Sequence, residues 1–522
     1  MSSTSASDMF YYSLFIIWFF TALLVHSLIR SFLKPRPEDK STVVQKPPPS
    51  PRALPFIGHL HLIGNVLPVS FQNLARRYGP LMQLRLGSSS CVVVSSWAVA
   101  REIFKTQELN FSSRPEFGSS EYFIYRGSRF VMAQYGDYWR FMKKLCMTRL
   151  LAVPQLDKFI DVREDEVVRI MESVARAARR GETSDLSGEF TRLTNNMICR
   201  MAMSARCSGT SSEAEEIKRL VKICLDLAGK LSVGDILGPL KFLDFSGNGE
   251  KLVSTLLKFD QIVERIIKEH EMSGPDKEKK DLLDILLEVY RDPTAEVKIT
   301  RKDIKSFLLD IFMAGTDTSS AAMQWAMAEL INRPQCFNKL RDEINSVVGP
   351  TRVVKESDVP NLPYLRAVIR ETLRLHPSAP LIIRECAEDC LVDGSLVKGG
   401  SRVLVNVYAI MRDPELWTEP DEFIPERFLE GSEEKIGEHQ MEFKGQNFRF
   451  LPFGSGRRGC PGASLAMLMM HATVGSLVQC FDWKVKDGDK VDLRQGSGFA
   501  AELAKPLICY PSIHINPFPL DE

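Results

Sequence analysis

Between Phe453 and Gly462 the chain reads Phe-Gly-Ser-Gly-Arg-Arg-Gly-Cys-Pro-Gly, so one of its eleven cysteines is framed by four glycines and two arginines. An unbonded cysteine is ordinarily a small buried hydrophobe, but these neighbours suit another role. Glycine lets a backbone adopt positive φ and approach a bound group closely, and nearby arginine favours thiolate over thiol. The run that follows, 463–472, reads as a helix. Cys460 therefore sits near a helix N-terminus, where negative charge is stabilised. A thiolate held in such a turn is a natural metal ligand. Structural zinc calls for a second close Cys or His, and iron–sulfur clusters for several cysteines at short spacing; neither pattern surrounds Cys460. A lone protein thiolate suits haem iron. Cys386 and Cys390 lie four apart without a second pair and read as ordinary thiols.

A second constraint lies at the N-terminus. From Met9 to Ile29 there is no formally charged residue, and a helix of about 20 apolar residues spans the hydrocarbon core of a bilayer. Asp8 precedes the run, while Arg30, Lys34 and Arg36 follow it. The positive-inside rule then places everything after the run in the cytosol. The next segment, with prolines at 47, 48, 49, 51 and 55, cannot continue a helix and reads as a stiff extended connector. The expected organisation is an anchor over 1–30, a basic and proline-rich linker over 31–58 and one catalytic domain over 59–522. Net charge +1 carries no nucleic-acid signature, and an odd, scattered set of cysteines fits a reducing compartment and not a disulfide framework.

Helical periodicity dominates the remainder. Apolar residues recur at spacings of three and four over 156–180, 214–230, 252–272, 281–289, 301–331 and 334–348, while 81–86, 91–95 and 403–407 read as short strands. Residues 273–281 are a charged connection. The fold class is mainly α with small β-sheets (α+β). Within 301–331 the stretch Ala314-Gly-Thr-Asp-Thr-Ser319 interrupts the apolar pattern; mid-helix glycine costs about 1 kcal/mol against alanine, and Thr and Asp compete for backbone hydrogen bonds. The interruption is either a kink held by threonine–carbonyl bonds or a groove for a ligand.

The ten-residue cysteine turn, through Phe453, Gly456, Arg458, Cys460 and Gly462, resembles the haem-binding signature of the cytochrome P450 monooxygenases, and other landmarks of that family follow in order along nearly the whole chain. The resemblance implies the P450 fold with haem b on the Cys460 thiolate. It implies an oxygen groove at 314–319, with Thr318 and Asp317 as catalytic residues that deliver protons to dioxygen. It also implies a buried structural triad of Glu371, Arg374 and Arg427. The haem propionates are expected to meet Arg458, Arg384 and the Trp139 helix, where Lys143 stands in place of the family's usual arginine. No dinucleotide fingerprint follows a strand, so NADPH serves only indirectly, through a flavoprotein reductase for which Arg140, Lys143, Lys144, Arg149 and Arg457 offer a basic docking face. The chain looks most like the plant A-type microsomal branch at the endoplasmic reticulum membrane, near the flavonoid- and triterpenoid-oxidising families. Candidate substrate residues by family position are Phe130, Val131, Met132, Asp310, Ala314, Ala379, Leu381, Ile382, Phe499 and Ala500. Asp310 either accepts a hydrogen bond from a substrate hydroxyl or is held by backbone amides. The leading expectation is O2-dependent oxidation of a hydrophobic metabolite at a triterpenoid methyl, from alcohol through aldehyde to acid, with flavonoid or isoflavonoid oxidation as the alternative. A reductase-independent isomerase or dehydratase, or a non-catalytic haem or steroid carrier, is the alternative class.

Overall fold

The computed structural model describes residues 6–32, 46–204, 212–228, 247–272, 279–429, 431, 445–486, 488, 490–496 and 500–516. Helices make up most of it, and the largest sheet has four strands in the order Leu81–Leu86, Ser89–Val94, Arg402–Asn406, Leu381–Glu385. The middle pair is parallel and the outer pairs antiparallel. The alternation in Leu81–Leu86 fits a half-covered sheet: Met82 and Leu84 are buried with Val93 and Phe71, while Arg85 is exposed.

The helices match the periodicity with two instructive differences. The run expected over 156–180 begins earlier and divides into Val153–Asp157 and Ile160–Arg180, with Phe159 outside helical geometry at the joint. The run expected over 301–331 is two helices, Arg301–Gly315 and Asp317–Asn332, separated at Thr316 (φ −79°, ψ −67°). Its start is set by a reciprocal cap: Asp303 N–H donates to the Thr300 hydroxyl, and Thr300 N–H to the Asp303 carboxylate at 2.8 Å. Helices Leu186–Met203 and Pro363–Leu375, which sequence periodicity did not single out, are buried along most of their length. Of the expected connection at 273–281, residues 273–278 lie outside the described residues; Asp281 is the N-cap of Leu282–Arg291.

Helix Ala463–Cys480, which follows the cysteine turn, is long and apolar enough to cross a membrane but lies mostly inside the fold. It is a core helix. The N-terminal helix Ala6–Phe32 is different: Tyr11, Phe15, Ile17, Trp18 and Phe20 are each more than 60% exposed.

The cysteine turn is reached through a meander tied to helix Pro363–Leu375 by Glu371. Its carboxylate, wholly buried, accepts from Arg374 Nε at 2.7 Å and Nη2 at 2.8 Å, from Arg427 Nε at 3.1 Å and from Ile424 N–H at 2.9 Å. The remaining guanidinium hydrogens of Arg374 go to the carbonyls of Met411, Pro420 and Glu422, and Arg427 reaches that of Thr418. A buried ion pair is tolerated only when its lone pairs and protons are satisfied in this way. Replacing Glu371 by Ala leaves two buried cations unpaired, and is expected to cost about 3–5 kcal/mol, read as a lowered denaturant midpoint; a midpoint within 1 kcal/mol of wild type would contradict this account.

Candidate haem and oxygen site

The turn at 453–462 explains its glycines. Gly454 and Gly456 have φ of 71° and 66°, left-handed values that glycine adopts at little cost. A Cβ on Gly456 would lie 2.5 Å from Glu108 Oε1 and 3.2 Å from the Phe104 carbonyl. Glu108 in turn accepts from Arg457 N–H at 2.6 Å and Arg457 Nε at 3.1 Å, clamping the turn from outside. Cys460 N–H donates to the Phe453 carbonyl at 2.9 Å. Burial among protein atoms pushes the Cys460 thiol pKa up, while the N–H groups of Gly462 and Ala463, at the start of helix Ala463–Cys480, and the Lys143 ammonium favour the thiolate. Cys460 is nevertheless the one exposed cysteine among the described residues, so its side chain borders open space.

The broken helix shows the same feature. Every residue from Asp303 to Met313 is buried except the half-buried Ile311, and every residue from Ser319 to Leu330 is buried, yet Ala314 between them is exposed and Gly315, Asp317 and Thr318 are half-exposed. Both readings of the interruption apply here. Thr318 Oγ1 donates to the Ala314 carbonyl at 2.6 Å, and a Cβ on Gly315 would come within 2.8 Å of Ile198 Cδ1. The hydroxyl bond and the absence of a side chain let the helix break against Leu186–Met203 while opening a hollow on its other face. Burial raises the Asp317 carboxyl pKa.

Three arginines complete the picture. Arg384 is buried at the edge of the central sheet, and Arg458 lies 4.3 Å over the Trp139 ring and donates to the carbonyls of Ser112, at 2.7 Å, and Ala133. Arg114, absent from the sequence expectations, joins them: its Nη1 donates to the Ile383 carbonyl, and its Nε has no partner among the described residues. Burial pushes the Arg114 pKa to about 10. Burial and Arg114 push Arg458 to about 9, and burial with both neighbours takes Arg384 well below its ordinary value. None of the three forms an ion pair with a carboxylate among the described residues. Only the Ser-Ser-Arg-Pro context of Arg114 was available in sequence, and a single arginine in a polar turn carries no sign of burial. Lys143 Nζ donates to the Gly459 carbonyl at 2.7 Å, beside the cysteine turn.

Two of the candidate substrate residues are held within the fold, Asp310 according to the second of its two readings. Asp310 is 2% exposed; Oδ1 accepts from Arg129 Nε at 2.9 Å and Nη2 at 2.6 Å, and Oδ2 from Val131 N–H at 3.0 Å. Three donors and near-complete burial thus hold this carboxylate within the fold. Phe130 is likewise core, stacked on Trp139 at 6.2 Å and against Phe307 at 5.8 Å. Ala379 is exposed, Val131, Met132, Leu381 and Ile382 are half-buried, and Ala500 is buried; Phe499 lies outside the described residues. Of the expected docking cations, Arg140, Lys144, Arg149 and Arg457 each pair with a neighbouring carboxylate and Lys143 turns inward. Exposed pairs of this kind contribute about 0–1 kcal/mol, so they exchange readily for a partner's acids. Cys386 and Cys390 are packed thiols 3.7 Å apart, with burial pushing the Cys386 pKa to about 12.

A haem fits these residues. An outward-facing sulfur is backed by two amide N–H groups, a glycine-broken helix exposes Ala314, and one buried and two half-buried arginines lack the anions that two propionates would bring. Haem-thiolate oxygenases are the class with this arrangement, and the chain belongs to the cytochrome P450 family, whose model matches residues 48–509. It is a monooxygenase that carries haem on a cysteine thiolate and draws electrons from NADPH through a reductase. It is 44% identical over 507 residues to 3,9-dihydroxypterocarpan 6A-monooxygenase of Glycine max, covering 95% of this chain and 98% of the relative. It is 40% identical over 516 residues to beta-amyrin 24-hydroxylase of the same plant, covering 97% and 98%. A zebra fish cytochrome P450 solved with progesterone superposes with a TM-score of 0.72 at 25% identity, over 85% of this chain and 99% of that one.

Because the three arginines repel one another, Arg114→Leu is expected to stabilise the haem-free protein while weakening haem retention. One charge-assisted hydrogen bond is worth about 1.5–3 kcal/mol, roughly 10- to 100-fold in affinity. Haem transfer to apomyoglobin measures the second effect; unchanged transfer would remove Arg114 from the site.

Proposed function

We propose that this chain is a membrane-anchored plant monooxygenase that oxidises a triterpenoid methyl group, with Cys460 as the haem ligand and Asp317 and Thr318 as proton donors in the groove. Thiolate-bound haem supplies the activation of dioxygen and the insertion of one of its atoms into a C–H bond. The protein's own part is positional and protonic. The two amides at 462 and 463 hold negative charge on the sulfur. Thr318 keeps its hydroxyl proton at a defined place on the Ala314 carbonyl, and Asp317, biased by burial toward its protonated form, is the group beside it that resupplies that proton. General-acid delivery of this kind contributes about 10²–10⁴-fold. Retention of both residues favours monooxygenation over the isomerase, dehydratase and carrier readings.

The observation that carries the substrate class is the burial of Asp310 and its pairing with Arg129 and the Val131 amide. It was the one acid among the candidate pocket residues; with it withdrawn, Val131, Met132, Leu381 and Ile382 offer an apolar wall. Affinity then comes from apolar burial at about 25 cal/mol per Å², and each unpartnered hydroxyl of a flavonoid costs about 1–3 kcal/mol. The relative named for beta-amyrin supports this reading; the relative named for a dihydroxypterocarpan supports the alternative, oxidation of a flavonoid or isoflavonoid. Membrane attachment rests on the exposed apolar surface of helix Ala6–Phe32, and the endoplasmic reticulum and a membrane-bound reductase follow from the microsomal character of the resemblance.

Beta-amyrin is expected to move the ferric haem from low to high spin, and to be turned over in steps from alcohol to aldehyde to acid. A tighter spectral shift and faster turnover with a flavanone or the pterocarpan would transfer the assignment to the alternative. Cys460→Ala is expected to abolish the long-wavelength band of the reduced carbon monoxide complex; its persistence would dismiss Cys460 as ligand. Deletion of residues 1–46 is expected to shift the protein from the membrane fraction toward solution with haem retained, and unaltered sedimentation with membranes would place attachment elsewhere.

A further inference from the structure

Asp317 is half-exposed, with burial enough to raise its carboxyl pKa, and a proton that it donates has to be replaced from solvent. The hairpin between Arg494 and Ala504 approaches it from the C-terminal side. This hairpin is closed by Gly496 N–H on the Glu502 carbonyl and Ala504 N–H on the Arg494 carbonyl, both at 2.8 Å. It is fastened to the groove helix: Trp325 Nε1 donates to the Ala501 carbonyl at 2.6 Å, Ala501 N–H to the Ser378 carbonyl at 3.0 Å, and Ser378 Oγ to the carbonyl of Thr318 itself at 2.7 Å. Glu502 is therefore carried one residue beyond a segment anchored to the oxygen groove.

Its surroundings are unusual for a carboxylate. Glu502 is half-buried, and neither its carboxyl nor that of Asp317 has a hydrogen bond or ion pair to the described residues. The charged groups acting on it are Asp317 from helix Asp317–Asn332 and, from helix Ser212–Ala228, Lys222 and Asp226, an exposed i,i+4 pair. Asp226 and Lys222 are exposed, while Glu502 and Asp317 are both half-buried. Next to Asp317 the Thr316 hydroxyl is buried and without a partner among the described residues.

We propose that Glu502 is a positioning residue for proton delivery, a carboxyl that takes a proton from solvent and passes it to Asp317, with Lys222 setting how readily it lets go. The step balances simply: protonated Glu502 and ionised Asp317 become ionised Glu502 and protonated Asp317, and solvent returns the proton to Glu502. Burial first, then the negative charges of Asp317 and Asp226 against the opposing Lys222, lift the Glu502 pKa to about 7, where a carboxyl both gives and takes protons near neutrality. The inference rests on Asp317 as proton donor to the groove.

The test compares Glu502→Gln, Glu502→Asp, Lys222→Ala and Asp317→Asn, each as full-length holoprotein with reductase and beta-amyrin, or the dihydroxypterocarpan if that compound gives the spin shift. Product formed per NADPH is followed from pH 6 to pH 8.5. In wild type it is expected to fall as pH rises through about 7, because the donor form of Glu502 is lost. Glu502→Gln should be low and flat across the range, about tenfold below wild type at pH 6, with the haem spectrum and spin shift intact; Glu502→Asp should restore part of the pH-dependent limb. Lys222 is exposed, so Lys222→Ala folds in any case; by removing the cation that lowers the Glu502 pKa it should move the limb to higher pH. A readout independent of turnover follows from linkage. A carboxyl whose folded pKa is raised destabilises the fold above its unfolded pKa, so Glu502→Gln should be more resistant to denaturant than wild type at pH 8 and equal to it near pH 4. Wild-type profiles in both Glu502→Gln and Lys222→Ala, with Asp317→Asn impaired, would overturn the role of Glu502 alone. An unimpaired Asp317→Asn would overturn the reading beneath it.

Discussion

Glu371 is the carboxylate on which the route to the cysteine turn depends. Helix Pro363–Leu375 and the meander that ends at Phe428 share no continuous secondary structure, and what joins them is one buried acid between two buried arginines, each arginine in turn closing several meander carbonyls. The cluster is neutralised within the chain to the extent that Glu371 offsets one of the two cations and carbonyl dipoles solvate the rest. Arg114, Arg384 and Arg458 are its counterpoint. Arg384 is buried and Arg114 and Arg458 are half-buried; they too donate to carbonyls, but no acid of the described chain pairs with them. One cluster is complete as folded; the other carries the positive charge that the two carboxylates of a bound haem would offset.

The groove helix reveals a second division of labour. A continuous helix across 301–332 would satisfy every backbone group and bury more surface, as its flanks do. The break at Thr316 gives up that regularity at the one place where open space is required. Gly315 makes it sterically feasible against Ile198, and the Thr318 hydroxyl satisfies the Ala314 carbonyl that the break exposes. The hydroxyl that meets this carbonyl belongs to the residue proposed to hold the proton that the chemistry uses.

What sequence made visible follows from how local the determinants are. The strand Leu81–Leu86 and the helix beginning at Arg301 are written in short-range terms, a short apolar run in one and apolar spacings of three and four in the other, and both were readable. Cys460 was readable because glycines and arginines crowd it within ten residues. Helix Leu186–Met203 escaped because it is buried on most sides: Thr194, Asn195 and Asn196 interrupt its apolar pattern at positions that are core and not surface. Arg114 was missed, and Asp310 left between two readings, for a related reason. Their roles depend on partners 269 and 181 residues away, Ile383 and Arg129 respectively, and no local pattern reports a buried charge or its counter-charge. Net charge +1 conceals both.

The same long-range pairing governs how the active site selects its ligand. The segment between Phe123 and Met132 is not a free loop. Arg129 is held by Asp310 and stacked 4.4 Å over Phe123, Val131 N–H is fixed by the same carboxylate, and Tyr125 donates to Asp260 at 3.0 Å, which also takes Lys305 at 2.9 Å. Charges from three separate elements thus neutralise one another beside the segment that carries the half-buried Val131 and Met132. On the proposed reading, a ligand meeting that segment finds few hydrogen-bond partners and is discriminated by shape and apolar area. Apolar contacts separate similar molecules by only about 1–3 kcal/mol per methylene, so selectivity depends on how rigidly the wall is placed, and that rigidity is what the Arg129–Asp310 pair provides.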